Sequence, residues 1–355
     1  MDGEIERFIK VWITTISCLC YCYYISSQIP KGFPRLLSLL PIIYLFLILP
    51  FNLSSFHLGA PTTFFLVWLA NFKLLLFAFN QGPLILSHPN ILQFISVASL
   101  PINFKQHPSN EKTTTTPIIG KVQTWLLLIA KVLILAMIIC AYDYRDNLHP
   151  NIIIVLMCCH VYLGIELVLL LSAIPVRIIL RAEIEPQFNE PYLSTSLQDF
   201  WGRRWNLMAT RILRPTVYDP VRRISTQFVG PSNATPVAML ATFFVSGIVH
   251  EVIYYYFTRA PPTWEVTWFF IFHGVCLVVE VKVKKAMLRR GWQLHRAVSG
   301  PLALAFMIIT AKWLMLPQVL RNGVDKKAIG EYTILVNFLK LMLLSCVRWQ
   351  PIIKI

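Results

Sequence analysis

The sequence has 355 residues, of which 56% are hydrophobic and only 14% are charged. Soluble domains carry about 25% charged residues, so this composition excludes a soluble globular protein. The formal net charge of +15 is also typical of proteins that bind nucleic acid, but here the basic residues are gathered in connections between apolar runs. We therefore expect no nucleic-acid partner, and we attribute the charge to cytosolic connections and anionic phosphate ligands.

Long apolar runs recur along the chain, and a transmembrane helix needs about 20 mostly apolar residues. Runs such as 122–142 and 234–257 are apolar on every face, whereas the strands of a β-barrel alternate apolar and polar residues. The sequence therefore predicts an all-α, polytopic integral membrane protein with about eight or nine transmembrane helices. The predicted spans are 8–25, 36–52, 61–79, 122–142, 151–176, 234–257, 264–281, 299–317 and 331–347.

Residues 1–355 are interpreted as a single membrane-embedded domain. Polar residues interrupt 84–102, so a position at the membrane interface is preferred for it; if it crosses instead, the side assignments of the preceding segments invert. Residues 103–121 are rich in Pro, Ser, Thr and Lys and are predicted to be a polar linker. The first apolar run lacks a cleavage pattern and is expected to remain as an anchor. The eight cysteines show neither a disulfide framework nor a zinc spacing, so no metal site is predicted.

Two basic connections predict the orientation in the membrane. The connection 177–233 is rich in arginine, and 282–298 contains lysines and arginines without any acidic residue. Two predicted spans separate them, so both lie on the same side of the membrane. Because short cytoplasmic loops carry an excess of Lys and Arg, that side is predicted to be cytosolic.

Polar residues inside the apolar run 234–257 require an explanation, since they are costly in a bilayer. Helical spacing sets Ser246, Gly247, His250 and Tyr254 on one face, with a small residue expected to leave room beside the imidazole. A functional site facing the protein interior is one interpretation. The alternative is that His250 and its neighbour Glu251 only form hydrogen bonds between helices.

The string F-W-G-R-R-W-N at 200–206 precedes this span. An arginine side chain offers a bidentate fork to phosphate, and tryptophan prefers the membrane interface, so the string suits a segment that binds an anion at headgroup level. An ordinary interfacial helix with snorkelling arginines is the alternative.

Taken with S-G-x-x-H-E at 246–251, this string resembles the plant wax synthase family of membrane-bound O-acyltransferases. S-S-F-H-L-G at 54–59, the run from Trp68 to Phe79 and H-G-V-C at 273–276 are similar to that family as well. The resemblance covers nearly the whole chain. It implies that the family's catalytic asparagine and histidine correspond to Asn206 and His250.

The chemistry that this resemblance implies is transfer of an acyl group from acyl-CoA to the hydroxyl of a long-chain alcohol. His250 would be the general base for the alcohol, and Asn206 would bind the thioester carbonyl or its oxyanion. No G-x-S-x-G nucleophile motif is evident, so direct attack is preferred to an acyl-enzyme. No cofactor is implied, because acyl-CoA is a substrate. The residues predicted to bind its CoA moiety are Arg203, Arg204, Trp205 and Arg211.

The acceptor stays open, since relatives acylate long-chain alcohols, sterols or diacylglycerol. A non-enzymatic membrane transporter is the rival from another class, although paired helix breaks in two related halves are not visible. Glu251 and Tyr254 are candidates for orienting His250, and His273 for lining the site, each with a structural role as the alternative. The family implies an endoplasmic reticulum membrane location and membrane lipids as surroundings.

Overall fold

The computed structural model describes residues 2–86, 90–104, 118–181, 183–292 and 294–334, and nearly all of them are helical. Among the described residues, eight helices are long and apolar enough to cross a membrane. The fold is thus an all-α, multi-pass membrane protein, as the sequence predicted. The helices are α1 (Asp2–Tyr24), α2 (Phe33–Ile48), α3 (Phe56–Ala78), α4 (Ile91–Ser99), α5 (Ile118–Ala141), α6 (Pro150–Leu180), α7 (Leu207–Leu213), α8 (Asp219–Thr258), α9 (Glu265–Arg289) and α10 (Arg296–Arg321).

Two predicted segments lie partly outside the described residues. The structure does not describe residues 335–347 of the predicted span 331–347, nor residues 105–117 of the predicted linker. The helix that follows this linker begins at Ile118, four residues before the predicted start of its span.

The segment 84–102 contains two helices, Pro83–Leu86 and α4, and both are too short to cross a bilayer, for which about 20 residues are needed. The Asn90 side chain caps α4 by accepting from the amide of Leu92 (2.9 Å). Phe94 and Val97 are buried in the same hydrophobic cluster as residues of α1 and α3. The segment therefore packs against the protein core, and neither of its helices is long enough to cross the bilayer.

Lys73 of α3 is fully buried, and its ammonium group caps the carboxyl end of α4. Nζ donates to the carbonyl oxygens of Val97 (2.5 Å) and Leu100 (2.7 Å). The last carbonyls of a helix have no partner within the helix, and a cation also interacts favourably with that end of the helix dipole. Lys73 therefore joins α3 to α4, and it does not line the cavity described below.

A half-buried ion pair lies between α5 and α6, where Lys131 donates to the carboxylate of Glu166 at 2.6 Å. Both residues lie within helices long enough to span the bilayer. Charges in such positions are costly unless they are paired. The ion pair therefore fixes α5 against α6, and the sequence interpretation had overlooked it.

The helix that carries His250 bends near its start. Gly230 adopts a positive φ of 75° with ψ of 165°, and Pro231 follows it. Glycine tolerates this conformation and proline cannot donate to the preceding turn, so the helical ladder is interrupted here. The bend separates the arginine-bearing first part of α8 from the apolar part that enters the membrane.

Helices α8 and α9 approach each other closely at two glycines. A Cβ atom at Gly247 would lie 2.9 Å from the Cα of Thr267, and one at Gly274 would lie 3.0 Å from the Cβ of Phe243. Small residues at such contacts let membrane helices pack backbone to backbone. The space at Gly247 is thus filled by α9.

The orientation can be tested at Asn233, which begins the sequon Asn-Ala-Thr just after the bend in α8. Its side chain is exposed. We expect no glycan there in microsomes, because the predicted cytosolic side lacks the glycosylation machinery. As the control, an acceptor sequon with a flexible spacer inserted between Pro261 and Pro262, in the predicted lumenal turn, should be glycosylated. Glycan on Asn233 with none at the insertion would invert the topology.

Candidate active site

The string at 200–206 forms a compact turn. The amide of Trp205 donates to the carbonyl of Phe200 (2.8 Å), which gives one wide turn of π-helix over Phe200–Arg204. The hydroxyl of Ser196 caps the preceding turn by accepting from the amide of Asp199 (3.1 Å). Such π-helical turns are rare in proteins, and those that occur are often found at functional sites. This turn brings the aromatic side chains inward and ends at Asn206.

Arg204 fastens the turn to the chain before it. Its Nε donates to the carboxylate of Asp199 (2.8 Å), and its terminal nitrogen donates to the carbonyls of Asn189 and Glu190 (3.2 Å each). A planar guanidinium with several donors suits such a junction. Arg204 is thereby engaged within the protein fold, whereas Arg203 beside it is exposed.

Asn206 occupies a left-handed backbone conformation with a φ of 38°, which asparagine tolerates better than most residues. Its Oδ1 accepts from the amide of Ala209 (3.1 Å) and caps α7. That bond fixes the orientation of the side-chain amide, because only the oxygen can accept. Within the part of the chain that the structure describes, Nδ2 makes no hydrogen bond, so its N–H groups are available to a substrate oxygen.

His250 lies two turns from the end of α8, and its tautomer follows from its hydrogen bond. Nδ1 is 2.7 Å from the carbonyl oxygen of Ser246, which can only accept, so Nδ1 carries the proton. Nε2 therefore keeps its lone pair. The ring packs against Phe270 (4.4 Å between centroids) and Trp68 (5.9 Å). A neutral imidazole with an unprotonated Nε2 can accept a proton from a bound hydroxyl group.

One cavity of about 470 Å³ connects these two residues. Asn206 and His250 both line it, as do Trp205 and Arg214. The remaining lining side chains are mostly apolar or aromatic, with a few hydroxyl and amide groups. They are Trp68, Gln198, Trp201, Gly202, Ala209, Thr210, Leu213, Tyr218, Met239, Thr242, Phe243, Ser246, Phe270 and Leu277. The structure thus brings the two residues assigned to catalysis into one site.

None of the three arginines that were predicted to bind CoA lines this cavity. Arg203 is exposed outside it, and Arg204 is held by Asp199. Arg211 forms an ion pair with Glu185. Trp205 does line the cavity, and its ring stacks on Phe200 at 5.2 Å between centroids. Of the four residues predicted to bind CoA, Trp205 thus lines the cavity, Arg203 is exposed outside it, and Arg204 and Arg211 form ion pairs within the chain.

Glu251 and Tyr254, the candidates for orienting His250, form hydrogen bonds with other residues. Glu251 is buried and accepts from the amide of Thr267 (3.1 Å), at the start of α9. The hydroxyl of Tyr254 donates to the carbonyl of Met315 (3.2 Å). Neither forms a hydrogen bond with His250 among the described residues. The carboxylate of Glu251 stabilises the amino end of α9, and the hydroxyl of Tyr254 joins α8 to α10. These contacts favour the structural role that the sequence had left open for each residue.

Sequence reasoning missed parts of the cavity wall. Tyr218 follows α7, and Phe270 comes from α9. The residues of α8 that line the cavity could have been identified from the sequence, because Ser246, Thr242 and Met239 precede His250 at helical spacing. Phe270 gives no such signal, because it lies in the run W-F-F-I-F at 268–272, where four of the five residues are aromatic.

Comparison with known proteins shows the family to which the chain is related. A sequence model of the membrane bound O-acyl transferase family matches residues 184–272, which include the 200–206 turn and all of α8. The chain is 47% identical to the long-chain-alcohol O-fatty-acyltransferase of Simmondsia chinensis, over 98% of this chain and 99% of that protein. It is also 47% identical to the probable long-chain-alcohol O-fatty-acyltransferase 1 of Arabidopsis thaliana, over 96% and 99% of the two chains.

A third relative has a different acceptor in its name. The chain is 42% identical to acyl-CoA–sterol O-acyltransferase 1 of Arabidopsis thaliana, over 93% of this chain and 95% of that protein. These identities extend along almost the full length of each protein, so they cover the cavity and all eight long helices. The chain belongs to the membrane-bound O-acyl transferase family, within its group of wax synthases, the long-chain-alcohol O-fatty-acyltransferases.

Proposed function

We propose that the protein transfers an acyl group from acyl-CoA to the hydroxyl of a long-chain alcohol, giving a wax ester and free CoA. The observation that carries this proposal is the pairing of an available amide donor on Asn206 with an unprotonated Nε2 on His250 in one cavity. Acyl transfer to an alcohol needs these two groups, a base for the hydroxyl and a donor for the oxyanion.

The reaction proceeds by direct attack. Nε2 of His250 takes the hydroxyl proton while the alcohol oxygen bonds to the thioester carbonyl carbon. The carbonyl oxygen becomes an oxyanion and accepts from Nδ2 of Asn206. Collapse of this intermediate breaks the carbon–sulfur bond, and the imidazolium of His250 returns the proton to the CoA sulfur. Ester and CoA leave, and both residues are restored.

The cavity wall supports this chemistry by keeping water scarce. Trp68, Phe243, Phe270 and Leu277 present apolar surface around His250 and Asn206. Water would compete with the alcohol as acyl acceptor, and it would weaken the hydrogen bond to the oxyanion. Long aliphatic chains also suit such a surface, because their burial is favourable for each methylene group.

Arg214 is the arginine that we expect to contact CoA phosphate, since it lines the cavity and its nearest acidic partner, Asp219, is 3.8 Å away. Arg214→Gln should raise the KM for acyl-CoA by about tenfold or more, because a hydrogen bond to a charged group contributes about 1.5 to 3 kcal/mol. The measurement is steady-state kinetics in proteoliposomes.

Two further variants belong to this experiment. Arg222→Gln is the matched control, because Arg222 is exposed on the same segment and outside the cavity. Arg203→Gln tests the sequence-based assignment in the same assay. An unchanged KM in Arg214→Gln, with a raised KM in Arg203→Gln, would move the phosphate contact to the exposed side of the turn.

The acceptor is decided by a direct assay. Purified protein with labelled acyl-CoA should form ester with long-chain alcohols in preference to sterols or diacylglycerol. Preference for sterols would favour the activity named for the 42% identical relative. Absence of any ester from all three acceptor classes, with monodisperse protein, would contradict the proposed activity and favour the transporter interpretation.

We also propose that the protein resides in the endoplasmic reticulum membrane, where acyl-CoA and newly made lipids meet. The predicted cytosolic side of the arginine-rich segment supports this, because acyl-CoA is a charged cytosolic donor. Fractionation of cells that express the full chain should recover ester-forming activity with this membrane. Recovery in another membrane would contradict the location.

A further inference from the structure

Trp201 is held in the cavity wall by a buried histidine. Its indole Nε1–H donates to Nδ1 of His273 (3.2 Å), and the two rings meet edge to face. The indole also packs against Phe243 and Phe270, with centroids 5.6 and 5.7 Å away. An indole N–H in such surroundings needs an acceptor, and His273 supplies it.

The other side of His273 is occupied too. Nε2 lies 2.9 Å from the hydroxyl oxygen of Thr310, and that hydroxyl donates its own proton to the carbonyl of Phe306 (2.7 Å). Thr310 can therefore only accept from the ring, so Nε2 of His273 carries the proton and Nδ1 accepts from Trp201. His273 is fully buried, and it does not line the cavity.

This arrangement excludes His273 as a base and gives it a different role. Both of its nitrogens are used, so no lone pair is left for a substrate hydroxyl. The hydrogen bonds run from α10 through α9 to Trp201, which lies in the same turn as Asn206. The carbonyl of Trp201 in turn accepts from the hydroxyl of Thr210 on α7 (3.5 Å).

We propose that His273 is a positioning residue, which acts through Trp201 to hold the 200–206 turn so that the amide of Asn206 meets the reacting carbonyl. This inference rests on the proposed acyltransferase function. A neutral imidazole with the proton on Nε2 satisfies Thr310 and Trp201 together, and few side chains can replace it at this position.

The test is a double-mutant cycle on His273 and Trp201. His273→Phe should lower kcat by roughly tenfold to a hundredfold, since small misplacements of catalytic groups have effects of that size. The KM for acyl-CoA should stay nearly unchanged, because Arg214, the proposed phosphate contact, is not altered. Trp201→Phe removes the donor of the same bond, so adding it to His273→Phe should lower kcat little further.

A conservative variant and a second site complete the design. His273→Gln should recover much of the activity, because its amide oxygen can accept from Trp201 while its nitrogen donates to Thr310. A merely structural role predicts instead that loss of activity follows loss of thermal stability in every variant. Should His273→Phe fail to fold, Thr310→Val replaces it in the cycle, as it removes only the hydroxyl that orients the imidazole.

The outcomes separate the two proposals. If the wild-type protein forms no ester, the proposed function fails before any variant is compared. With active wild-type protein, a kcat for His273→Phe above about half the wild-type value would overturn the positioning role. Multiplicative effects of His273→Phe and Trp201→Phe would overturn it as well, because they would show that the two side chains act independently.

Discussion

His250→Ala is expected to abolish ester formation while leaving a folded protein in the membrane. The unprotonated Nε2 is the group that takes the hydroxyl proton, and removal of a general base typically lowers the rate by about 10² to 10⁴. The bond from Nδ1 to Ser246 lies within one helix, so its loss should affect stability little. Released CoA and ester are measured together with thermal unfolding.

His160→Ala is the matched control for this experiment. His160 lies in α6, outside the cavity, and interacts with the hydroxyls of Tyr142 (3.2 Å) and Tyr332 (3.4 Å). A hydrogen bond between membrane helices contributes about 0.6 to 2 kcal/mol, so this variant should lose some stability and keep its turnover. If His250→Ala kept more than about a tenth of the wild-type turnover, the general-base role would be wrong.

Asn206→Asp should lower turnover by about 10² to 10³, the effect of removing one oxyanion donor. The aspartate keeps the oxygen that accepts from Ala209 and tolerates the left-handed backbone, so the cap of α7 is retained. What it loses is the amide N–H, and it adds a negative charge where the oxyanion forms. The kcat for ester formation is therefore the quantity to measure, with thermal unfolding alongside.

Asn206→Ala serves as the comparison, because it removes both the donor and the cap. Losing the cap costs about 1 kcal/mol in helix stability, and the left-handed backbone adds strain for alanine. We therefore expect Asn206→Ala to be less stable than Asn206→Asp and similarly inactive. Nearly full activity in Asn206→Asp would show that this side chain is a helix cap alone.

The spans and the pairing of Asn206 with His250 were accessible from the sequence for different reasons. Apolar runs of membrane length have few alternatives, because backbone polar groups in lipid must be satisfied within a helix. His250 is conspicuous as a polar group in such a run. That Asn206 shares its cavity came from the resemblance, since nothing in the spacing along the chain requires the turn at 200–206 to face α8.

The arginines show where sequence reasoning stops. Arg203, Arg204 and Arg214 are chemically equivalent in the sequence, and only the folded chain supplies Asp199 and the nearby carbonyls as partners for Arg204. Arg211 is similarly engaged by Glu185 across the loop. Ion-pair partners that depend on tertiary structure cannot be read from composition, and the overlooked pair Lys131–Glu166 has the same cause.

Because Asn206 caps α7, the position of its side-chain N–H donor depends on α7 being folded. One side-chain amide uses its oxygen to begin α7, a helix of seven residues, and presents its nitrogen to the cavity. If the first turn of α7 frays, the amide is released to rotate, and the oxyanion loses its partner. Helix ends open at far lower free energy than a whole bundle unfolds. We therefore expect heat or detergent to inactivate the enzyme while its transmembrane helices remain assembled.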